Sequence, residues 1–295
     1  MKTFSQALDI HDFAISAELP LTPDSTRASI LEQARSLQHL VDAIHVPDNR
    51  FGRVHIAPLA VAAILLESGI DPVMEMGCRN RNRIALISDL LGARALGVTS
   101  LLLNRGKKAP AEFMPQTTYL VDTNVKDLIG IARNVYQDEE LKGNINYLLG
   151  TVATVHDRLE DWSPERLNAK IESGANFVQT HFCLDIDVLQ RYIKHLISQK
   201  ITRRVSVVVG TGPLVSYESA IGMRDDQTHL LIPKATLNRL RQASDQRQEG
   251  IEICAEFLVQ ARKIPGLSGA HLSCADDFSA ISATLEASAP GNGMQ

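Results

Sequence analysis

Residues 71–107 read DPVMEMGCRNRNRIALISDLLGARALGVTSLLLNRGK, and their pattern decides the fold. Two apolar runs, 72–75 and 99–103, flank a segment in which Ile84, Leu86, Ile87, Leu90, Leu91, Ala95 and Leu96 recur at helical spacing. Asn80 or Asn82 suits the start of that helix, because a short polar side chain accepts a free first-turn amide. Gly97 suits its end, where a left-handed residue stops the helix. Strand, helix and strand in this order form a right-handed crossover, so the two strands are expected to be parallel neighbours. Polar residues follow each strand, 75–83 after the first and 104–108 after the second. In α/β folds chemistry gathers at that edge.

The alternation continues in both directions. Further strands are expected at 13–18, 42–46, 147–155, 175–182, 204–210 and 267–273. Helices are expected at 25–38 (capped by Asp24 or Ser25), 54–67, 125–136, 164–173 (capped by Ser163), 187–198, around 217–221 and at 251–263. Eight strands alternating with helices predict an α/β protein, a closed (β/α)8 TIM barrel forming a single domain over residues 1–289. The tail 290–295 is expected to be disordered. An open doubly wound sheet is the alternative, but no GxGxxG follows the first strand.

Composition narrows the class. A net charge of −4 and a pI near 6.1 argue against a general nucleic-acid binder, whose mark is a basic face. Cys78, Cys183, Cys254 and Cys274 lie far apart with no CxxC pair, as expected of free thiols in a reducing compartment. No apolar run reaches the ~18–20 residues that span a bilayer, and the N-terminus lacks the apolar core of a signal peptide. The expectation is a cytoplasmic protein with no membrane partner.

Residues just past the expected strands face one shared mouth. Glu18 ends the first strand between apolar neighbours and precedes Pro20. Burial there would raise its carboxyl pKa and make it an acid near neutrality; the plainer alternative is a solvated strand-end glutamate. Arg79, Arg81 and Arg83 stand at a helix N-terminus, and residues 104–107 (NRGK) form a second basic turn. Together they suit an elongated anionic ligand, although solvent-facing charge would read the same. His45 and His55 have no co-ligand at a recognisable spacing, so no metal is expected. The segment HDRLED (156–161) reads as a polar loop, and GxSxG, HExxH and P-loop motifs are absent.

The stretch CRNRNRIALISDLLGARALGVTSLLLNRG (78–106) resembles a central motif of the methylenetetrahydrofolate reductases. FAISAELP (13–20), KIESGANFVQTHFCLD (170–185), VGTGPLVS (209–216) and LSGAHLSC (267–274) resemble further family segments in the family's order, nearly end to end. The resemblance implies a TIM barrel and an oxidoreductase that interconverts 5,10-methylenetetrahydrofolate and 5-methyltetrahydrofolate with NAD(P)H, usually through FAD. It implies Glu18 as the acid that protonates the folate. It implies Arg105, Gly106, Lys107, His156 and Lys170 as cofactor-binding positions, and Thr180, His181 and Ser273, with Glu18, as the folate side.

Departures from the family pattern fall mostly on the flavin positions. A family histidine is Glu75, an aspartate is Lys107, and a stretch with a flavin-packing tyrosine reads Gly150-Thr151-Val152-Ala153-Thr154. On the folate side a glutamine is His181, and an aromatic and an arginine become about Ser273 and Asp277. Either FAD is bound in a rewired way or hydride passes directly between nicotinamide and folate. Two alternatives stand beside this reading: a barrel that oxidises methyltetrahydrofolate in one-carbon catabolism, and a folate-binding barrel without catalysis. The resemblance leaves NADH versus NADPH and the oligomeric state open, a homo-oligomer included.

Overall fold

The computed structural model describes residues 3–10, 13–110, 112–113, 122–135, 147–157, 162–226, 229–274 and 276–289. Strands β1 (Ala14–Glu18), β2 (Ala43–Val46), β3 (Pro72–Gly77), β4 (Ser100–Asn104), β5 (Leu148–Ala153), β6 (Phe177–Phe182), β7 (Ser206–Thr211) and β8 (Gly269–Leu272) pair in chain order. Every pairing is parallel, and β8 closes on β1. The fold is a (β/α)8 barrel, as the eight expected strands required. The expected tail 290–295 lies outside the described residues. Among the described residues no helix is long and apolar enough to cross a membrane.

Helices α1 (Phe4–Asp9), α2 (Arg27–Leu37), α3 (Pro58–Glu67), α4 (Arg83–Leu96), α5 (Val125–Asn134) and α6 (Glu165–Ser173) accompany the first six strands. Next come α7 (Ile186–Ser198), α8 (Tyr217–Asp226), α9 (Lys234–Gln242), α10 (Gln246–Ala261) and α11 (Ser279–Ala287). Their starts follow local capping chemistry. Asn82 accepts from the Ala85 amide and opens α4, and Gly97, at φ 89°, ends it. Thr26, rather than Asp24 or Ser25, caps α2, because its hydroxyl and Ser29 form a reciprocal pair. The helix expected from residue 54 begins instead at Pro58, since proline fits the first turn and Val54 is left exposed on an extended link.

The barrel has an apolar floor. Phe4 from α1 meets Val73, Leu102, Phe177 and Val208 inside the strand ring. Phe4 and Phe177 stack edge to face at 5.6 Å. Gly150 leaves room for this ring: a Cβ there would stand 2.1 Å from Phe177 Cζ. With the bottom filled, polar side chains inside the barrel collect at the opposite, C-terminal end of the strands.

Candidate active site

Strand register brings three residues distant in sequence to one point. Glu18 of β1 lies opposite His45 of β2, and Ser16 lies opposite His271 of β8. All three side chains turn inward, with Glu18 10% exposed and both histidines buried. His271 Nε2 stands 3.8 Å from Glu18 Oε2, and the His45 and His271 ring centroids are 4.5 Å apart. Each histidine is oriented from behind. Ser16 Oγ lies 3.0 Å from His271 Nδ1, and Glu75 Oε2 lies 3.3 Å from His45 Nε2. Glu75 is in turn held by the Asn104 amide. His45 Nδ1 is buried and has no protein partner.

Arg50 completes this cluster by donating from Nη1 to Glu18 Oε1. Its loop is backbone-strained: Asn49 and Phe51 both have positive φ, 49° and 56°. The Arg50 guanidinium packs over the Phe51 ring at 4.8 Å. Gly52 locks the loop against the segment after β4, since a Cβ there would lie 1.9 Å from the Lys108 carbonyl oxygen. Burial pushes the Glu18 carboxyl up, but Arg50, His271 and His45 together hold it down at about 2. The expectation of a raised pKa is therefore reversed, because Arg50 reaches Glu18 from the turn after β2, a contact that chain spacing does not reveal. Burial and His45 likewise lower His271, to about 4, so it is neutral at pH 7.

Above the cluster opens a cavity of about 890 Å³. Among the described residues, Arg50, Arg53, Arg79, Lys107 and Lys108 line it against one acid, Asp276. This is the basic mouth that residues 79–83 and 104–107 suggested, with one correction. Of the three arginines, Arg79 alone faces the cavity. Arg81 is bound by Asp48 and Asp89, where Asp48 also accepts from the Gly77 amide at 2.8 Å, and Arg83 turns outward to Asp122. Arg105 is exposed and absent from the cavity wall.

Glu18, Thr180, His181 and Ser273, expected together on the folate side, do line one small cavity of about 130 Å³, with Arg50 and His271. The Thr180 hydroxyl is already engaged, donating to the His181 carbonyl and accepting from the Gly210 amide. His181 packs on His229 at 4.2 Å. Burial, then His229, Lys107 and Lys170, push its pKa down to about 3.

The positions tied to a flavin by resemblance divide between two cavities. Gly106 and Lys107 line the large mouth, whereas His156 and Lys170 line a second cavity of about 600 Å³ beside β5 and α6. Lys170 Nζ donates to the Val152 carbonyl at 2.8 Å. At the β5 end the wall is Val152, Ala153 and Thr154, and the aromatic rings that line the cavity are Trp162 and Tyr192, from outside that strand.

Sequence reasoning missed His271, placed residues 45–50 at the mouth without giving Arg50 a role, and set His45 aside as a metal ligand. His271 carried a legible signal: between Ala270 and Leu272 in an apolar strand, period two turns it inward. The neighbours of His45 were illegible, because barrel closure, not chain spacing, supplies them.

Comparison with known proteins fits this architecture. Residues 3–288 match the family described as methylenetetrahydrofolate reductase. A probable methylenetetrahydrofolate reductase (NADPH) from Caenorhabditis elegans is 28% identical over 208 residues, 67% of this chain and 29% of that protein. The chain thus matches less than a third of that relative's length. Among solved structures, an uncharacterised protein from Clostridium thermocellum that binds two copies of 5-methyl-5,6,7,8-tetrahydrofolic acid superposes with a TM-score of 0.64 at 14% identity, covering 97% of each chain. Oxaloacetate acetylhydrolase superposes with a TM-score of 0.51 at 13% identity, covering 93% of this chain and 80% of its own. At these identities the superpositions speak for the barrel alone; the match over residues 3–288 goes further, and by it the chain belongs to the methylenetetrahydrofolate reductase family.

Proposed function

We propose that this protein is a folate oxidoreductase that interconverts 5,10-methylenetetrahydrofolate and 5-methyltetrahydrofolate, with NAD(P)H as hydride donor and Glu18 as proton donor. One observation carries the reading: in a chain of this family, a buried carboxylate stands at the end of β1 beneath a cation-lined mouth. The net reaction consumes methylenetetrahydrofolate, NAD(P)H and one proton. Protonation of the ring nitrogen breaks its bond to the bridging carbon and leaves an iminium at the other nitrogen. Hydride then adds to that carbon and gives the methyl group.

Arg50 sets the state of Glu18. While Arg50 holds Oε1, the carboxyl is ionised and has no proton to give. Arg50 also lines the mouth, where the anionic groups of a folate or a dinucleotide would draw it away. Burial, the largest influence on Glu18, then favours the protonated form. Ligand entry and acid formation are thereby linked.

The donor set for a flavin does not fit one cradle. Its expected residues face two cavities, Arg105 faces solvent, and a carboxylate, Glu75, sits within β3 with both oxygens engaged. The reading is therefore direct transfer of hydride from nicotinamide to folate. The test is the absorbance spectrum of the purified protein, followed by NADH and NADPH oxidation with methylenetetrahydrofolate. Turnover without flavin bands is expected, and Glu18→Gln should lower kcat by roughly 10²–10⁴-fold. Absence of turnover in either direction with both nucleotides would sink the proposal.

A further inference from the structure

We propose that Glu18, His45 and His271 form a binding site for a divalent transition metal ion, with Zn²⁺ the best-suited occupant. One ligand atom from each residue lies within 4.8 Å of the others, on three adjacent strands at the base of the mouth. A tetrahedral zinc with bonds of about 2.0–2.2 Å needs separations near 3.3–3.6 Å, so the cluster would contract around the ion. The 3.8 Å between His271 Nε2 and Glu18 Oε2 is already close to that.

The surroundings favour a built site over a chance cluster. Metal-bound histidines direct their other ring nitrogen to a carboxylate, carbonyl or hydroxyl that fixes the tautomer. Both histidines have such a partner, Glu75 for His45 Nε2 and Ser16 for His271 Nδ1. This leaves His45 Nδ1 and His271 Nε2 as the coordinating atoms. His45 Nδ1 is the buried nitrogen with no protein partner, an atom that is costly to leave unsatisfied. Arg50 occupies Glu18 Oε1 and leaves Oε2, the oxygen nearer His271.

Two imidazoles and one carboxylate match the donor preference of Zn²⁺ or Fe²⁺ rather than Mg²⁺ or Ca²⁺. Three protein ligands with an open fourth position characterise a reactive metal site rather than a structural one. That fourth position faces the 130 Å³ cavity, which Glu18 and His271 both line. The inference rests on ligand geometry and is independent of the folate reading. If both hold, ion and proton compete for Glu18, and Zn²⁺ slows folate turnover until a chelator is added.

The experiment is calorimetric titration of chelator-stripped full-length protein with Zn²⁺, alongside the visible spectrum with Co²⁺. One ion per chain is expected, with Co²⁺ bands of a low-coordinate nitrogen and oxygen site. Glu75→Gln, which leaves the three ligands in place but changes the support of His45 and the bond from Asn104, should weaken binding by about 10–100-fold. His271→Ala should abolish the Co²⁺ bands, with circular dichroism as the check on folding, and His229→Ala should bind like wild type. If wild type takes up no Zn²⁺, or if Glu75→Gln and His271→Ala bind it undiminished, the assignment is wrong. Loss of binding in His229→Ala would move the ion to the His181–His229 pair and overturn it equally.

Discussion

His181 is a half-buried base under the influence of two lysines, and its protonation ties the site to stability. Its pKa is pushed from 6.5 down to about 3, by burial first, then by His229, Lys107 and Lys170. In the unfolded chain the ring takes a proton below pH 6.5, whereas in the folded chain it does so only near pH 3. Between these values the unfolded state binds more protons, so stability falls as pH falls, by at most about 1.4 kcal/mol per pH unit. His181→Gln removes that term. Urea midpoints measured from pH 7.5 to 4.5 should fall less steeply for the variant than for wild type, and parallel curves would refute the assignment. The same residue shows where sequence reading stops. His181 is legible as a strand-end residue from the 175–182 run, but its partner His229 comes from beyond β7, Lys107 from the segment after β4 and Lys170 from α6. Only closure of the barrel makes them neighbours.

Helix α4 is the element on which the fold reading was built, and its two ends bear it out while its faces do not. Asn82 caps it and Gly97 stops it, because these are local effects of a side chain and a backbone angle. The apolar stripe is narrower than its sequence. Leu86, Leu90 and Ala93 are buried, but Ile84 is 77% exposed and Leu96 42%, since which arc meets the barrel depends on tertiary packing. For the same reason helix α11 escaped notice and the start of α10, expected at residue 251, was placed too late. In α11 the buried positions are Ala280, Ile281, Thr284 and Leu285, and α10 starts at Gln246 with a polar turn before its first large apolar residue. Asn82→Ala should cost about 1 kcal/mol, through the lost bond to the Ala85 amide. Gly97→Ala should cost a similar amount although nothing crowds its Cβ, because φ 89° itself is unfavourable for alanine. Both are read as shifts in the denaturation midpoint, and a neutral Asn82→Ala would mean the cap contributes nothing.

Over the whole molecule the barrel divides its labour along its axis. The floor is apolar and filled by Phe4, Phe177 and their neighbours; the mouth carries the charges, the strained Asn49–Phe51 turn and the cavities. Such a division lets the mouth vary while the floor keeps the ring of strands closed. The short helix α1 is the hinge of this argument, because it comes from outside the strand–helix alternation and supplies the plug. The Phe4 amide ties it down by donating to Asp71 at 2.8 Å, and the Asp71 carboxyl also accepts from Thr99 between β3 and β4. Phe4 is 1% exposed, so truncating it removes apolar contact and leaves a cavity under the strands. Phe4→Ala should therefore destabilise the protein by about 3–5 kcal/mol. Because Phe4 is remote from the mouth, folded variant should keep the wild-type KM for folate below its lowered melting temperature. A fall in stability together with a raised KM would mean that the floor and the mouth are coupled, and that the plug helps shape the site.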